Sequence, residues 1–394
     1  MKKYFEKFEK ELSSSCIPFW LSHGRDEIYG GVINCLDRTG AVYSEDKSVW
    51  MQGRAAWMFS YLYNNMEKRE EYLSFAKSCL SFAREHCIDK TDGRMYFTVT
   101  RDGRPLRKRR YFFSETFYIM ANAEYYMATK EKEYLEEARK YFRFVYGIYR
   151  TPVSDPYKIT PKSYEETRST KSLACPMILL NVASILRNAD RENACEYDTV
   201  ITDLIEDIKC FYKPEYHALF ETVATKDHSV VLDSAPCRVI NPGHDMECSW
   251  FLLEEAERRN DAELAAFAKQ IFDDAFAFGK DDTYGGIVYF KDILGKPVEA
   301  YEHDMKLWWV HNEAAIASLM LYRHTGDNTY KEIFCRVTDY AFSHFSDSEY
   351  GEWYGYLRRD GKPTEPPCKG HTYKGPFHVL RMLAKCIPIL KEFS

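Results

Sequence analysis

Two kinds of helical pattern alternate along the chain. Charged amphipathic segments are predicted at roughly 3–14, 68–87, 132–147, 196–211, 261–278 and 329–345. Segments that are apolar on most sides are predicted between them, at roughly 54–64, 115–128, 171–187, 243–258, 311–323 and 377–391. Because a helix that is apolar on most sides is buried, the pattern predicts an outer ring of six helices around an inner ring of six. The expected fold is an all-α (α/α)6 barrel.

Short stretches of alternating polarity recur between the predicted helices and end in D-G or G-x-P turns, which is typical of β-hairpins. Four of them lie at 30–40, 92–105, 284–297 and 350–363, and further loops near Asp155 and Tyr216 fill the gap. The spacing of about 65 residues predicts six repeats, with the short hairpins at one end of the barrel. No low-complexity linker interrupts the pattern, so residues 1–394 are expected to form a single domain.

Composition and charge exclude several classes of protein. The 394 residues are 45% hydrophobic and 16% aromatic, which is unlike a disordered chain. A net charge of −6 gives no reason to expect nucleic acid as a partner. No apolar run reaches the roughly 18 residues of a membrane span, and the charged start is unlike a signal peptide. The 12 cysteines form no C-x-x-C pair, which favours a reduced, cytoplasmic protein without a zinc site.

Two histidines follow a proline where buried helices are predicted to begin. Asn241, a favoured N-cap residue, precedes Pro242 and His244, and Pro376 stands two residues before His378. The positive end of a helix dipole disfavours an imidazolium, so both histidines are expected to be neutral near pH 7. Neutral imidazoles accept protons, and the matched pair predicts general acid–base catalysis. Two hydrogen-bonded core histidines are the alternative interpretation.

Charged residues near the same helix starts complete the candidate site. Glu247 lies three residues after His244 on one helical face, where it is expected to fix the tautomer of the histidine. Arg54 offers a planar fork of donors to an oxygen-rich ligand. Glu115 is a charge near the start of a buried helix, and is expected either to function or to pair with a partner such as Arg54.

Adjacent tryptophans indicate the kind of ligand. Trp308 and Trp309 precede the predicted buried helix that carries His311 and Glu313. One indole ring can pack against the C–H face of a sugar while the other joins the core. The alternative interpretation is that both tryptophans are core residues. No P-loop, dinucleotide-binding G-x-G-x-x-G or serine-hydrolase G-x-S-x-G motif occurs.

Four motifs together resemble those of the N-acylglucosamine 2-epimerase family, also called renin-binding proteins in mammals. They are the run K-S-V-W-M-Q-G-R-A-A-W-M at 47–58, Asn241-Pro242-Gly243-His244 with Glu247 and Trp250, Lys306-Leu307-Trp308-Trp309 with His311 and Glu313, and Lys374-Gly375-Pro376-Phe377-His378. The resemblance implies an (α/α)6 barrel. It also implies inversion at C2 of an aldose, with N-acetylglucosamine and N-acetylmannosamine as the named pair.

The resemblance also implies roles for individual residues. His244 and His378 match the family's two acid/base histidines: one removes the proton next to the C1 carbonyl of the opened sugar, and the other reprotonates the opposite face. Arg54 matches an arginine near the sugar oxygens, and Glu247 matches the carboxylate that supports the first histidine. No metal and no cofactor are implied. Some relatives respond to ATP, but no nucleotide motif is present and no allosteric nucleotide is assigned.

The third predicted buried helix bears on the substrate. Cellobiose 2-epimerases and aldose–ketose isomerases of the superfamily carry a further histidine there, whereas residues 172–181 contain none and are similar to the M-x-L-L-N version of N-acylglucosamine epimerases. Met177 and Asn181 are therefore expected to contact the methyl and amide of an N-acetyl group. With Trp308, Trp309, Glu313 and Glu115 they form the predicted substrate-binding set.

Three alternatives stay open from the sequence. The protein could epimerise or isomerise an unmodified sugar such as mannose or glucose with the same two histidines. A glycoside hydrolase on the same barrel would instead need paired carboxylic acids. A non-enzymatic binding protein would need no pair of neutral histidines. The expected partner is a small sugar, with neither nucleic acid nor membrane, and a homodimer is left open.

Overall fold

The computed structural model describes residues 1–108, 111–152 and 164–394. The predicted loop near Asp155 lies outside these ranges. Within them the long helices are α1 (Lys2–Glu11), α2 (Val49–Asn65), α3 (Glu70–His86), α4 (Phe113–Thr129), α5 (Lys132–Arg150), α6 (Ala174–Ala189), α7 (Ala194–Lys209), α8 (Pro242–Arg259), α9 (Ala262–Gly279), α10 (Trp308–Thr325), α11 (Asn328–His344) and α12 (His378–Glu392). Two π-helical segments, Leu12–Cys16 and Trp20–Gly24, prolong α1 around the short helix Ile17–Phe19, and a further short helix spans Glu165–Arg168.

The even-numbered helices form a closed inner ring. Each contacts the next one along the chain, and α12 contacts α2. The odd-numbered helices pack around them, and the core lies between the two rings; in α10 every residue from Trp308 to Leu321 is buried. The (α/α)6 prediction is thereby confirmed, with boundaries close to those expected. The largest shift is in α2, which begins at Val49 rather than near 54. None of the helices in the described ranges is long and apolar enough to cross a bilayer.

Short strands lead into several inner helices and so lie at their N-terminal ends. They are Cys35–Leu36, Val42–Ser44, Lys47–Ser48, Thr98–Val99, Pro105–Arg107, Thr170–Ser172, Tyr212–Lys213, Ala218–Leu219, Thr222–Ala224, Val239–Ile240, Lys291–Asp292, Lys306–Leu307 and Tyr356–Leu357. The hairpin predicted at 284–297 is wrong in its pairing, whereas the one at 350–363 forms a local antiparallel bridge between Leu357 and Pro363 and also pairs outside its own segment. Lys291–Asp292 pairs with Val239–Ile240, and Tyr356–Leu357 pairs with Lys306–Leu307, so these strands join neighbouring repeats.

An aspartate cluster recurs in the connections that lead into inner helices. Asp281 accepts hydrogen bonds from the backbone N–H groups of Thr283 and Tyr284 at 3.0 and 3.3 Å. It also accepts from Lys306 Nζ at 2.7 Å and Arg359 Nε at 3.1 Å. Burial alone would raise the pKa of Asp281, but these two cations hold it well below its usual range. The same three residue types recur as Asp26, Lys47 and Arg101 and as Asp347, Lys369 and Arg38.

We expect Lys306→Met to lower the free energy of unfolding by about 3–5 kcal/mol, because it leaves Asp281 with only the half-exposed Arg359 as a charged partner. Urea unfolding followed by circular dichroism measures the change. Lys296→Met, an exposed lysine on the preceding loop, is the matched control and should shift the free energy by less than about 0.5 kcal/mol. Equal effects of the two variants would show that the buried ion pair contributes nothing to stability.

Candidate active site

A cavity of about 430 Å³ opens at the N-terminal ends of the inner helices. Each predicted site residue borders it except Glu115 and Glu313: those in contact with the cavity are Arg54, Met177, Asn181, His244, Glu247, Trp308, Trp309 and His378. Residues far apart in sequence thus meet at one place, because parallel inner helices present their first turns to the same end of the barrel.

The first turn of α8 positions His244. Asn241 caps the helix, since its Oδ1 accepts hydrogen bonds from the N–H groups of Gly243 and His244 at 3.1 and 3.3 Å. Pro242 occupies the start of the helix as predicted. Gly243 allows close packing, because a Cβ there would lie 2.6 Å from Cζ3 of Trp309. The indole ring of Trp309 therefore lies beside the imidazole of His244, with 5.1 Å between ring centroids.

The carboxylate that holds His244 is Glu221, which the sequence did not indicate. The Nδ1 atom of His244 lies 2.8 Å from Oε1 of Glu221, which is located between two short strands. Burial alone would lower the pKa of His244, but the charge and hydrogen bond of Glu221 raise it, with a smaller contribution from Glu247. This shift is opposite in direction to the one expected from the helix N-terminus, because the neighbouring carboxylate outweighs both burial and the helix dipole.

His378 has the opposite electrostatic environment. It is the first residue of α12, so Pro376 precedes the helix instead of opening it as predicted. Its Nδ1 atom lies 2.8 Å from Oε1 of Glu313. Burial lowers the pKa of His378 well below its usual value, and the positive charges of Arg381 and Arg54 lower it further. This histidine is neutral at physiological pH, as predicted, and can accept a proton.

A buried arginine connects the two carboxylates behind the histidines. Arg381 donates to Glu247 through a short hydrogen bond and to Glu313 at 2.7 Å. Trp250 Nε1 donates to the other oxygen of Glu313 at 2.8 Å. Glu313 is fully buried and is held away from the cavity by these donors, so its predicted direct contact with substrate is wrong. Its position instead fixes the imidazole of His378.

Glu247 does not hydrogen-bond to His244 as the sequence predicted. Both lie on the cavity side of α8, but the carboxylate of Glu247 pairs with Arg381. A guanidinium offers a stronger, charge-assisted hydrogen bond than a histidine on the same helix does. Atoms of Glu247, Glu313 and His378 that could bind a metal lie within 4.8 Å of one another, but Arg381 already supplies the positive charge between the two carboxylates.

Arg54 is a partly buried cation that faces the cavity. No carboxylate of the described chain lies within ion-pairing distance of it; Nη1 donates only to the backbone oxygen of Tyr373 at 3.3 Å, and Nε has no hydrogen-bond partner among described residues. The rings of Phe117 and Phe377 flank the guanidinium at 4.2 and 4.9 Å. Burial lowers the pKa of Arg54 to about 9, so it remains charged at neutral pH. Such a cation is well placed to stabilise an oxyanion.

Glu115 is a structural residue, and its predicted role in substrate binding is wrong. Its fully buried carboxylate accepts hydrogen bonds from Arg94 Nε at 2.8 Å and from the N–H of Met95 at 3.0 Å. Arg94 and not Arg54 is thus its ionic partner. The interaction ties the start of α4 to the preceding loop and leaves Arg54 free of charged partners in the described chain.

Aromatic rings form much of the remaining wall. Trp309 contacts both catalytic candidates, with its ring centroid 5.1 Å from that of His244 and 5.9 Å from that of His378. Trp308 also borders the cavity, so neither indole is withdrawn entirely into the core. The sequence missed several further aromatic residues of the wall, namely Trp50, Phe113, Phe117, Phe251, Tyr289, Tyr356, Tyr373 and Phe377.

Two imidazoles with opposite pKa shifts and one unpaired guanidinium suit proton transfer at carbon. The hydrogen bonds at Nδ1 of each histidine leave the Nε2 atoms for exchange with a ligand. His378, with its lowered pKa, is suited to act as a base, and His244, with its raised pKa, is suited to act as an acid, while Arg54 balances negative charge that develops between them.

Comparisons with known proteins agree with this chemistry. Residues 31–379 match the family described as N-acylglucosamine 2-epimerase (GlcNAc 2-epimerase). The N-acylglucosamine 2-epimerase of Bos taurus is 37% identical over 396 residues, which span 100% of this chain and 92% of the relative. The protein of the same name from Homo sapiens is 36% identical over 394 residues, spanning 99% of this chain and 91% of the relative.

Solved structures share the fold. Cellobiose 2-epimerase from Spirochaeta thermophila DSM 6192 superposes with a TM-score of 0.85 at 22% identity, covering 100% of this chain and 98% of the other. A D-mannose isomerase superposes with a TM-score of 0.84 at 18% identity and the same coverage. With the family match over most of its length and relatives above 30% identity across all of it, the chain belongs to the N-acylglucosamine 2-epimerase family.

Proposed function

We propose that the protein interconverts N-acetylglucosamine and N-acetylmannosamine by inverting C2. The observation that carries the proposal is the pair of histidines with opposite pKa shifts, His244 and His378, on one cavity that also holds the unpaired Arg54. The names of the relatives from Bos taurus and Homo sapiens support the choice of an N-acylated sugar.

The reaction proceeds on the open-chain sugar, whose C1 carbonyl acidifies the C2–H bond. The Nε2 atom of His378 takes the C2 proton, and the electrons of the C2–H bond form a C1=C2 double bond. The negative charge then lies on the C1 oxygen of an enolate whose C2 still carries the acetamido group. Arg54 stabilises the negative oxygen. The imidazolium of His244 then donates its Nε2 proton to the opposite face of C2, which completes the inversion. After each such inversion His378 carries the proton taken from C2 and His244 has lost its own. Both histidines must therefore exchange protons with solvent before the next turnover in the same direction.

Apolar and amide groups on one side of the cavity suit the N-acetyl substituent. Met177 and Ile178 of α6 and Met120 of α4 offer contacts for a methyl group, and Asn181 offers hydrogen bonds for the amide. One methyl group in an apolar pocket discriminates by about 1–3 kcal/mol. We therefore expect kcat/KM for the N-acetylated sugars to exceed that for glucose and mannose by at least about tenfold.

Proton NMR in D2O tests the proposal directly. The purified protein should convert N-acetylmannosamine to N-acetylglucosamine and replace the C2 proton of the product by deuterium. Initial rates on N-acetylmannosamine, N-acetylglucosamine, mannose and glucose under one buffer then define the preference. Equal or faster turnover of mannose would favour the free-sugar epimerase or isomerase instead, and conversion without C2 deuteration would contradict proton exchange at that carbon.

Glu221→Gln should move the alkaline limit of activity to lower pH. The proposed acid, His244, must be protonated, so activity is lost as the pH rises through its raised pKa; His378 must be neutral, so activity is also lost as the pH falls through its lowered pKa. Removing the charge of Glu221 lowers the pKa of His244, which shifts the alkaline limb alone. We also expect kcat to fall on the order of 10²-fold, because the imidazole loses its orienting partner.

The pH profile of kcat/KM for N-acetylmannosamine measures both effects. Glu215→Gln, an exposed glutamate earlier in the same loop region, is the control and should leave the profile unchanged. An acid limb that moved with the alkaline limb, or a drop in kcat with an unchanged profile, would contradict the assignment of Glu221 as the partner that keeps His244 protonated.

We further propose that the protein works in the cytoplasm. All twelve cysteines are free thiols, and seven of them are buried without a disulfide partner, which suits a reducing compartment. The reaction uses only the side chains described, so no cofactor is required. The single catalytic domain remains a prediction, and the homodimer stays an open alternative.

A further inference from the structure

A second cavity, of about 840 Å³, opens at the opposite end of the barrel, where the inner helices end. Residues from the C-terminal halves of α2, α4, α6 and α8 border it, together with Arg381 and Lys385 of α12. Among the residues that line the two cavities, Asn181 and Arg381 alone belong to both. The two spaces therefore lie along one axis and are separated by the ion pairs behind the catalytic histidines.

Polar residues follow the axis from one cavity to the other at helical spacing. On α12 they are His378 at the catalytic cavity, Arg381 at the boundary and Lys385 at the second cavity. Positions three and four apart share one face of a helix, so this face is polar over the first half of α12, with the cations Arg381 and Lys385 following the neutral His378. A helix face with only a packing role in the centre of a barrel would be apolar, as it is along much of α10.

A buried carboxyl group is the most unusual feature of the second cavity. Glu124 is 3% exposed and accepts a hydrogen bond from Asn64 Nδ2 at 2.8 Å. Burial raises the pKa of Glu124 to about 7, so the group both donates and accepts hydrogen bonds near neutral pH. Burying such a group is costly unless it is satisfied by partners, which favours a role in binding over a role in packing.

Four of the cations that line this cavity, Arg187, Arg258, Arg381 and Lys385, are in ion pairs, whereas Lys68 and Lys130 are exposed to solvent. Lys385 Nζ lies 2.6 Å from Glu254 Oε1, and Arg187 lies 2.8 Å from Glu255. Mutually neutralised ion pairs exert a weak net field on a ligand but still offer donors and acceptors at fixed positions. They suit hydroxyl groups, which use both, better than they suit an ion.

Aromatic rings provide an apolar surface beside these polar groups. Trp57 and Tyr61 of α2 stack with 5.0 Å between ring centroids and 26° between planes, and both border the second cavity, as does Trp250. Rings beside hydroxyl-binding groups match the two faces of a sugar, its C–H face and its hydroxyl edge. A volume of 840 Å³ lies within the range of small-molecule sites.

We propose that the second cavity is a binding site for an uncharged monosaccharide, separate from the catalytic cavity and coupled to it through Arg381. This proposal is argued from the residues that line the second cavity. The expected ligand is the same sugar that the catalytic cavity converts. The coupling follows from position: Arg381 borders the second cavity while donating to Glu247 and Glu313, and its Nε atom is buried without a partner in the described chain. A ligand that engages this guanidinium changes the ion pairs that hold His378.

Isothermal titration of the full chain with N-acetylglucosamine counts the sites. We expect two sites in the wild type, and a loss of tenfold or more in affinity at one of them in Lys385→Met. Lys391→Met, an exposed lysine later on the same helix, is the matched control and should keep both sites. Rates against substrate concentration should depart from a hyperbola in the wild type and the control, and follow one in Lys385→Met.

Retention of C2–H exchange in Lys385→Met separates this proposal from the proposed function, since the catalytic cavity is intact in that variant. A single site in the wild type, or titrations that Lys385→Met leaves unchanged, would overturn the second site. If Lys385→Met does not fold, Ser184→Trp, which fills the cavity from α6, replaces it in the titration. Wild-type crystals soaked in N-acetylglucosamine must also show the sugar beside Glu124; occupancy of the catalytic cavity alone would refute the proposal.

Discussion

Replacing His378 by alanine is expected to lower kcat for epimerisation by about 10²–10⁴-fold while the barrel stays folded. The histidine is the neutral member of the pair, because burial and the charges of Arg381 and Arg54 lower its pKa. Its Nδ1 atom is hydrogen-bonded to Glu313. Loss of the imidazole therefore removes the base but leaves the ion pair between Arg381 and Glu313 in place. Initial rates on N-acetylmannosamine, with circular dichroism to check folding, measure the effect.

His244→Ala should be equally inactive in net epimerisation but should differ in isotope exchange. His378 can still remove the C2 proton of one epimer and return a deuteron from D2O to the same face, which gives exchange without inversion. In His378→Ala the remaining histidine has a pKa raised by Glu221, so exchange through it should increase as the pH rises. His324→Ala, an exposed histidine, serves as the control. Near wild-type turnover in either variant would contradict the two-base assignment.

The rings of the barrel could be predicted because their signal is local. Each helix is indicated by the spacing of polar and apolar residues within its own segment. Buried and amphipathic helices differ in how many of their sides are apolar, and a single helix length is enough to show this. Strand pairing does not have this property. The segment at 284–297 was predicted as a local hairpin, yet its strand Lys291–Asp292 pairs with residues about 50 positions away. Tyr356–Leu357 pairs equally far away, in addition to the local bridge between Leu357 and Pro363.

The site could be predicted as far as the first turns of the inner helices. Asn241 and Pro242 fix where α8 begins, and that start places His244 at the cavity. Partners across the barrel were not predictable in the same way. Glu221 comes from a short loop with no pattern of its own, and the pairing of Glu247 depends on how close Arg381 comes from another helix.

One missed residue did carry a signal in the sequence. Arg381 lies three residues after His378 on a predicted buried helix, so it shares a face with the histidine. A charge at such a position must be paired or functional, by the same reasoning that identified Glu115. The two outcomes differ: Glu115 is paired with Arg94 for structure alone, whereas Arg381 pairs with the carboxylates that surround the reacting histidines.

Arg54→Lys should lower kcat on the order of 10²-fold with a smaller change in KM, although the charge is kept. The guanidinium lies between the rings of Phe117 and Phe377 and reaches the backbone oxygen of Tyr373, so its remaining donors point at a fixed place. A lysine has a compact charge on a flexible stem and cannot stack in this way. Stabilisation that develops only in the enolate appears in kcat, whereas uniform binding of substrate and enolate appears in KM.

Steady-state kinetics on N-acetylmannosamine separate these cases, with Arg191→Lys at the exposed start of a helical turn as the control. The free energy of unfolding of Arg54→Lys should stay close to that of the wild type, because no carboxylate of the described chain pairs with Arg54 and no ion pair is broken. A raised KM with normal kcat would make Arg54 a residue that binds substrate and enolate equally. Unfolding of the variant would instead make the cation a structural part of the aromatic cluster around it.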